Sequence, residues 1–158
     1  MEHLLGAANR GSVSTGYDID NSCKFESDNS ESMTHSFDSS GDRYQGTISC
    51  WIKRSELGTL QYVWETGDTD NDNGRLFLRF GTDNTLRLSG GSTIFRVTSQ
   101  LFTDTAAWYH IVVAVDSSLA TGDNQFRIYV NGSEVTSFGT KNNCSQDTIL
   151  GLHFEQIS

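Results

Sequence analysis

Residues 106–118, AAWYHIVVAVDSS, decide the fold class, because they carry the strongest β-strand pattern in the chain. One face of an extended strand here would carry Tyr109, Ile111, Val113 and Val115. The opposite face would carry Trp108, His110, Val112 and Ala114. Since both sets look suited to burial, the pattern predicts a central strand of a packed sheet.

Shorter β-type segments surround this strand on both sides. The predicted strands are residues 23–27, 32–37, 46–54, 60–65, 75–80, 85–90, 93–97, 125–130 and 133–138. Segment 46–54 would place Ile48, Cys50 and Ile52 on one face and Thr47, Ser49, Trp51 and Lys53 on the other. The last two segments are joined by Asn131-Gly132, which favours a type I′ hairpin turn. No segment predicts a helix, although residues 119–123 could hold one helical turn.

Strands that recur about every ten residues, with glycine and asparagine turns, predict an all-β sandwich or barrel. Two antiparallel sheets arranged as a jelly roll are the simplest way to bury the alternating side chains. The chain has 158 residues, which suits one domain. We assign residues 1–20 to an N-terminal arm or linker and residues 21–158 to the sandwich. Leu4 and Leu5 are the candidate docking residues of this arm.

The formal net charge is −9, and both halves of the chain are acidic. This balance gives no basic patch for nucleic acid or anionic lipid, so we expect neither as a partner. No apolar run is long enough to span a membrane. The three cysteines are Cys23, Cys50 and Cys144. Their odd number gives no closed disulfide framework, and free thiols of a reducing cytosol are the favoured interpretation.

Three segments in this order resemble the concanavalin A-like, laminin-G-like jelly rolls. They are GTISCWIKRSELGTLQYVWETG (46–67), LFTDTAAWYHIVVAVDSS (101–118) and FRIYVNGSEVTSF (126–138). The resemblance extends over about residues 22–148. Within the family, the sequence is similar above all to a subtype found in structural proteins of tailed phages, especially marine ones. There the family continues with another strand after the part that matches here. This chain ends at ILGLHFEQIS, so the last strand is either missing or supplied by residues 148–154.

The resemblance implies an all-β concanavalin A-like jelly-roll sandwich of two antiparallel sheets with a flexible N-terminal arm. It also implies a non-enzymatic virion structural protein, made in the host cytoplasm, that decorates or cements the capsid or belongs to a tail fibre. Other virion proteins would be its partners. An unfilled sheet edge would favour a homo-oligomer or strand addition by a neighbour.

Residues 67–74, GDTDNDNG, raise the question of a calcium site. Asp68, Asp70 and Asp72 could offer carboxylate ligands from one turn, and calcium is the one cofactor we consider. An EF-hand does not fit, because Asn73 stands where its glycine should be and Arg79 stands where its last glutamate should be. A solvated loop between two strands is the favoured alternative.

The sequence does not predict catalysis. Some relatives of this fold are glucanases with a glutamate-x-aspartate-x-(x)-glutamate strand, and no such run occurs here. The histidines are scattered at positions 3, 35, 110 and 153. His110 is interpreted as a packed strand histidine rather than a catalytic base.

A carbohydrate-binding module that recognises host or environmental glycans through its rim loops is the alternative function. Such sites stack an exposed aromatic ring on the sugar and use polar loop residues for its hydroxyls. The candidate binding residues are Tyr62, Trp64, Asn73 and Asn84, with Tyr44, Asp68, Asp70 and Asp72 as further possibilities. For Trp51, Trp64 and Trp108, core packing is the favoured interpretation because all three lie in alternating β segments.

Overall fold

A computed structural model of the protein describes residues 41–66 and 75–151. All of them belong to one compact unit. The strands are β1 Gln45–Lys53, β2 Gln61–Thr66, β3 Leu76–Phe80, β4 Thr85–Gly90, β5 Thr93–Leu101, β6 Trp108–Asp116, β7 Phe126–Val130, β8 Ser133–Glu134 and β9 Phe138–Lys141. A 3-10 turn, Gly122–Asn124, overlaps the segment where one helical turn was expected. Among the described residues, no helix is long and apolar enough to cross a membrane.

The described strands form two antiparallel sheets, which confirms the predicted all-β sandwich. The four-stranded sheet has the order β1-β6-β7-β8, and the five-stranded sheet has the order β2-β3-β4-β5-β9. In the first sheet β1 pairs with β6 along its whole length, from Gln45 opposite Asp116 to Lys53 opposite Trp108. The strand predicted at 106–118 is therefore central, since β6 lies between β1 and β7.

The core lies between the inner faces of the two sheets. Its buried side chains are Leu76, Leu78, Phe80, Leu86, Leu88, Phe95, Phe102, Tyr109, Ile111, Val113, Val115, Phe126, Ile128, Val130 and Leu150. Aromatic contacts join the sheets directly, because Phe95 of β5 stacks on Phe126 of β7 with ring centroids 4.2 Å apart. Phe102 and Tyr109 meet edge to face at 5.2 Å. Such contacts add to the stabilisation that apolar burial gives.

The predicted hairpin at 125–138 is half right. Asn131 and Gly132 both have positive φ, as a type I′ turn requires, and β7 pairs with β8 across them. The pairing ends at Val135, however, whose N–H still donates to the carbonyl of Ile128, and residues 138–141 pair with β5 in the other sheet. Val135 and Phe138 pack against the core at this point, which draws the chain from one sheet to the other.

The prediction that both faces of β6 are buried is wrong. Alternate residues from Tyr109 to Val115 are buried, whereas Trp108 is exposed and the other members of its face are only half-buried. At the C-terminal end, residues 142–151 form no strand, and Leu150 enters the core while its N–H donates to the carbonyl of Arg43. The arm at 1–20, the strands at 23–27 and 32–37 and residues 152–158 lie outside the described residues, so these predictions stay predictions.

Arg54 ties together the loops at one end of the sandwich. The side chain is 2% exposed, and its guanidinium lies over the Phe80 ring, 4.5 Å from the centroid. Its Nε donates to Gln61 Oε1 at 3.0 Å, and its Nη1 donates to Asn84 Oδ1 at 2.9 Å and to the carbonyl of Phe102 at 2.7 Å. Burial lowers the pKa of this guanidinium. One cation thus connects three chain segments by donating to one acceptor in each of them.

We expect Arg54→Met to lower the free energy of unfolding by about 2 to 4 kcal/mol, because it keeps the apolar stem and removes the three hydrogen bonds that the guanidinium donates. Urea unfolding followed by tryptophan fluorescence measures the change. The matched control is Lys53→Ala, because Lys53 precedes Arg54 in the chain and its side chain is exposed. For this variant we expect the free energy of unfolding to change by about 0.5 kcal/mol or less. Equal unfolding midpoints for the two variants would contradict the role of Arg54.

Candidate functional site

The sequence-predicted binding residues do not converge in the described structure. Tyr62 is 48% exposed on the outer face of the five-stranded sheet, where its hydroxyl accepts a hydrogen bond from Arg79 Nη1 at 3.1 Å. Trp64 points the other way and packs against the core, as predicted for it, because the register of β2 shifts between the two residues. The side-chain amide oxygen of Asn84 accepts hydrogen bonds from Arg54 Nη1 and from the N–H of Gly58. Its amide oxygen therefore supports the loops.

Other predicted residues lie outside the described residues. These are Leu4, Leu5, Asp68, Asp70, Asp72 and Asn73. Within the described residues, no group of three or more His, Cys, Asp or Glu side chains could hold a metal ion. The calcium site at the acidic loop therefore stays a prediction. Cys50 and Cys144 are free and half-buried, and burial raises the pKa of both thiols, which lowers their reactivity.

Two tryptophans predicted to lie in the core are on the surface instead. Trp51 is 65% exposed and Trp108 is 58% exposed. The pairing of β1 with β6 explains this, because Trp51 lies opposite His110 and Lys53 lies opposite Trp108, all on the face turned away from the other sheet. Their neighbours Ile52 and Tyr109 occupy the inner face. Successive side chains of a strand point to opposite faces of its sheet, and the core lies against only one of these faces. Because Ile52 and Tyr109 occupy that face, Trp51 and Trp108 lie on the other.

Trp51, Trp108 and His110 form an aromatic platform on the outer face of the four-stranded sheet. The rings of Trp51 and His110 stack with centroids 4.9 Å apart and planes inclined by 22°. His110 Nε2 is hydrogen-bonded to Ser49 Oγ at 2.9 Å, and the His110 backbone N–H donates to Asn131 Oδ1 at 2.9 Å. These bonds fix the histidine, and the histidine in turn orients the exposed indole of Trp51.

A polar groove of about 540 Å³ lies further along the same face. Ala114, at an outward position of β6, leaves room in it because its side chain is a single methyl group. The polar side chains that line it are Asp42, Gln45, Thr47, Asp116, Asn124 and Arg127. Asp116 is held in place by Ser118, whose backbone N–H and hydroxyl both donate to Asp116 Oδ1, at 3.0 and 2.6 Å. The groove can both donate and accept hydrogen bonds.

The platform and the groove together suit binding by contact and hydrogen bonding. Exposed aromatic rings offer a flat apolar surface, and the groove offers polar groups at fixed positions. The sequence contained a signal for the platform that our core interpretation overlooked. Alternation already grouped Trp51 with Thr47, Ser49 and Lys53, and a tryptophan on an otherwise polar strand face is a candidate for surface contact.

We expect Trp51→Ala and Trp108→Ala to change the free energy of unfolding by about 1 kcal/mol or less each, because the removed rings are mostly in solvent. The matched comparison is Phe80→Ala in the core, for which a loss of about 3 to 5 kcal/mol is expected. Chemical denaturation followed by circular dichroism measures all three. A loss for either tryptophan as large as that for Phe80 would contradict the exposed platform.

Comparison with known proteins places the chain in a family. The model of Laminin_G_3, the concanavalin A-like lectin/glucanases superfamily, matches residues 9–151, which is most of the chain. No curated protein and no solved structure was found to match the chain significantly. The match begins inside the segment assigned to the arm, and the boundary at residue 20 stays a prediction. The chain therefore belongs to the Laminin_G_3 family of the concanavalin A-like lectin/glucanases superfamily.

Proposed function

We propose that this protein is a non-enzymatic structural component of a phage virion that displays a lectin-like β-sandwich. It decorates or cements the capsid, or it belongs to a tail fibre, and it is made in the host cytoplasm before assembly. Its partners are other virion proteins and further copies of itself. Calcium at the acidic loop is a separate proposal, with Asp68, Asp70 and Asp72 as its ligands.

The observation that carries this proposal is the open aromatic platform. Two tryptophans lie more than half in solvent, where they add little to folding. Exposed aromatic clusters of this kind are characteristic of surfaces that contact a partner. The phage context itself is supported by the likeness of residues 22–64 and 101–148 to the tailed-phage subtype of the family.

Glycan recognition is the second candidate function, and it is compatible with the first. The polar groove beside the platform favours it, because sugars combine an apolar ring face with many hydroxyls. Host or environmental glycans are the ligands we propose for such a module.

The virion proposal predicts that the chain copurifies with particles of the phage that encodes it. Quantitative mass spectrometry of gradient-purified particles should find the chain at a fixed ratio to the major capsid or tail protein. Immunogold labelling should then show on which part of the particle it lies. Recovery only in the soluble fraction of the lysate, with none on particles, would contradict a structural role.

The non-enzymatic part of the proposal predicts no release of reducing ends when the purified chain is incubated with soluble β-glucans. The sequence lacks the carboxylate pattern that glucanases of this fold use. A reducing-sugar assay, with a β-glucanase as the positive control, measures the result. Release that grows with enzyme concentration and disappears after heat denaturation would contradict it.

A further inference from the structure

We propose that the outer face of the four-stranded sheet binds a linear, uncharged oligosaccharide that runs parallel to the strands, from the platform of Trp51 and Trp108 to the groove beside Arg127. This inference rests on glycan recognition, the second candidate function. It replaces the rim loops, where the sequence suggested Tyr62 and Trp64, by a different surface of the sandwich.

The geometry of β6 sets the direction and the length of the site. Trp108, His110, Val112 and Ala114 follow one another along the outer face. From Trp108 to Ala114 an extended strand covers about 20 Å. Trp51 and Ser49 of β1 lie opposite His110 and Val112, and therefore widen the same surface. An elongated ligand of several sugar rings fits this surface better than a single sugar does.

The two ends of the face offer the two chemistries that a pyranose ring needs. At one end the indole of Trp51, held against His110, presents a flat apolar surface to the C–H face of a sugar. At the other end Gln45, Asn124 and Arg127 present amide and guanidinium groups, and Asp116 presents a carboxylate. These planar polar groups can donate to and accept from ring hydroxyls.

The charges of this face favour a ligand without net charge. The outward positions of its four strands carry two cations, Lys53 and Arg127, and two anions, Asp116 and Glu134. The chain as a whole has a formal net charge of −9, which repels polyanions such as nucleic acids and acidic polysaccharides.

Calorimetric titration of the complete 158-residue chain with defined sugars tests the inference. The probes are cellohexaose, laminarihexaose and mannohexaose, their disaccharides, and hexamers of alginate and heparin as charged comparators. At least one neutral hexasaccharide should bind about tenfold or more tightly than its disaccharide, because it contacts both ends of the face. Trp51→Ala and Trp108→Ala should each weaken the binding of that hexasaccharide by about tenfold.

Arg127→Ala separates the groove from the platform. It should lower the affinity for the hexasaccharide by about threefold to tenfold and leave the affinity for the disaccharide unchanged, since the disaccharide needs only the aromatic end. Leu101→Ala is the matched control, because Leu101 is an exposed apolar side chain on β5 of the other sheet. The affinity of this control variant for the hexasaccharide should equal that of the wild type. Circular dichroism should show that every variant is folded.

Three results would overturn the inference, and they can be told apart. If Tyr62→Ala abolishes binding while both tryptophan variants bind normally, the sugar lies on the other sheet and glycan recognition stands. Preference for alginate or heparin would refute an uncharged ligand. If no probe binds, both the inference and glycan recognition fail, whereas incorporation into particles is judged by its own experiment.

Discussion

The register of β1 against β6 couples the core of this protein to its outer surface. Because side chains alternate along a strand, the same pairing that turns Ile52 and Tyr109 inward places Trp51 beside His110 on the outside. A slip of one residue would exchange the two faces, exposing the apolar set and burying the tryptophans. The burial of Ile111 and Val113 in the core fixes this register, and the aromatic platform depends on it.

Two buried arginines join loops to the sandwich without a carboxylate ligand among their hydrogen-bond acceptors. Arg54 is bonded to Gln61, Asn84 and the Phe102 carbonyl. Arg96 lies in the core over the rings of Phe126 and Phe138 and donates to the carbonyls of Phe95 and Asn142 and to Asn143 Oδ1. Burial lowers the pKa of both guanidinium groups. Neutral acceptors and aromatic faces offset part of the desolvation cost, so these cations fix connections that have little apolar surface of their own.

Alternation along the strands was sufficient to predict the sandwich and most of its strands, because each strand buries one face. It was not sufficient to show where the hairpin at 125–138 ends, since Val135 and Phe138 continue the β pattern while the chain changes sheets. The core interpretation of Trp51 and Trp108 relied on residue type. Whether each side chain is buried or exposed depends instead on the strand face to which it belongs. The groove was beyond prediction, because Gln45, Asp116 and Arg127 belong to three strands that only the folded sheet brings together.

The passage of the chain between β8 and β9 has a consequence for how the domain loses its structure. Within residues 135–137 the polypeptide leaves the four-stranded sheet and enters the five-stranded one, where β9 pairs with β5. Neither sheet can separate from the other without drawing this short connection taut and pulling β9 from its edge. The two layers are thereby mechanically linked near the end of the chain, and we expect them to melt in one cooperative transition rather than layer by layer.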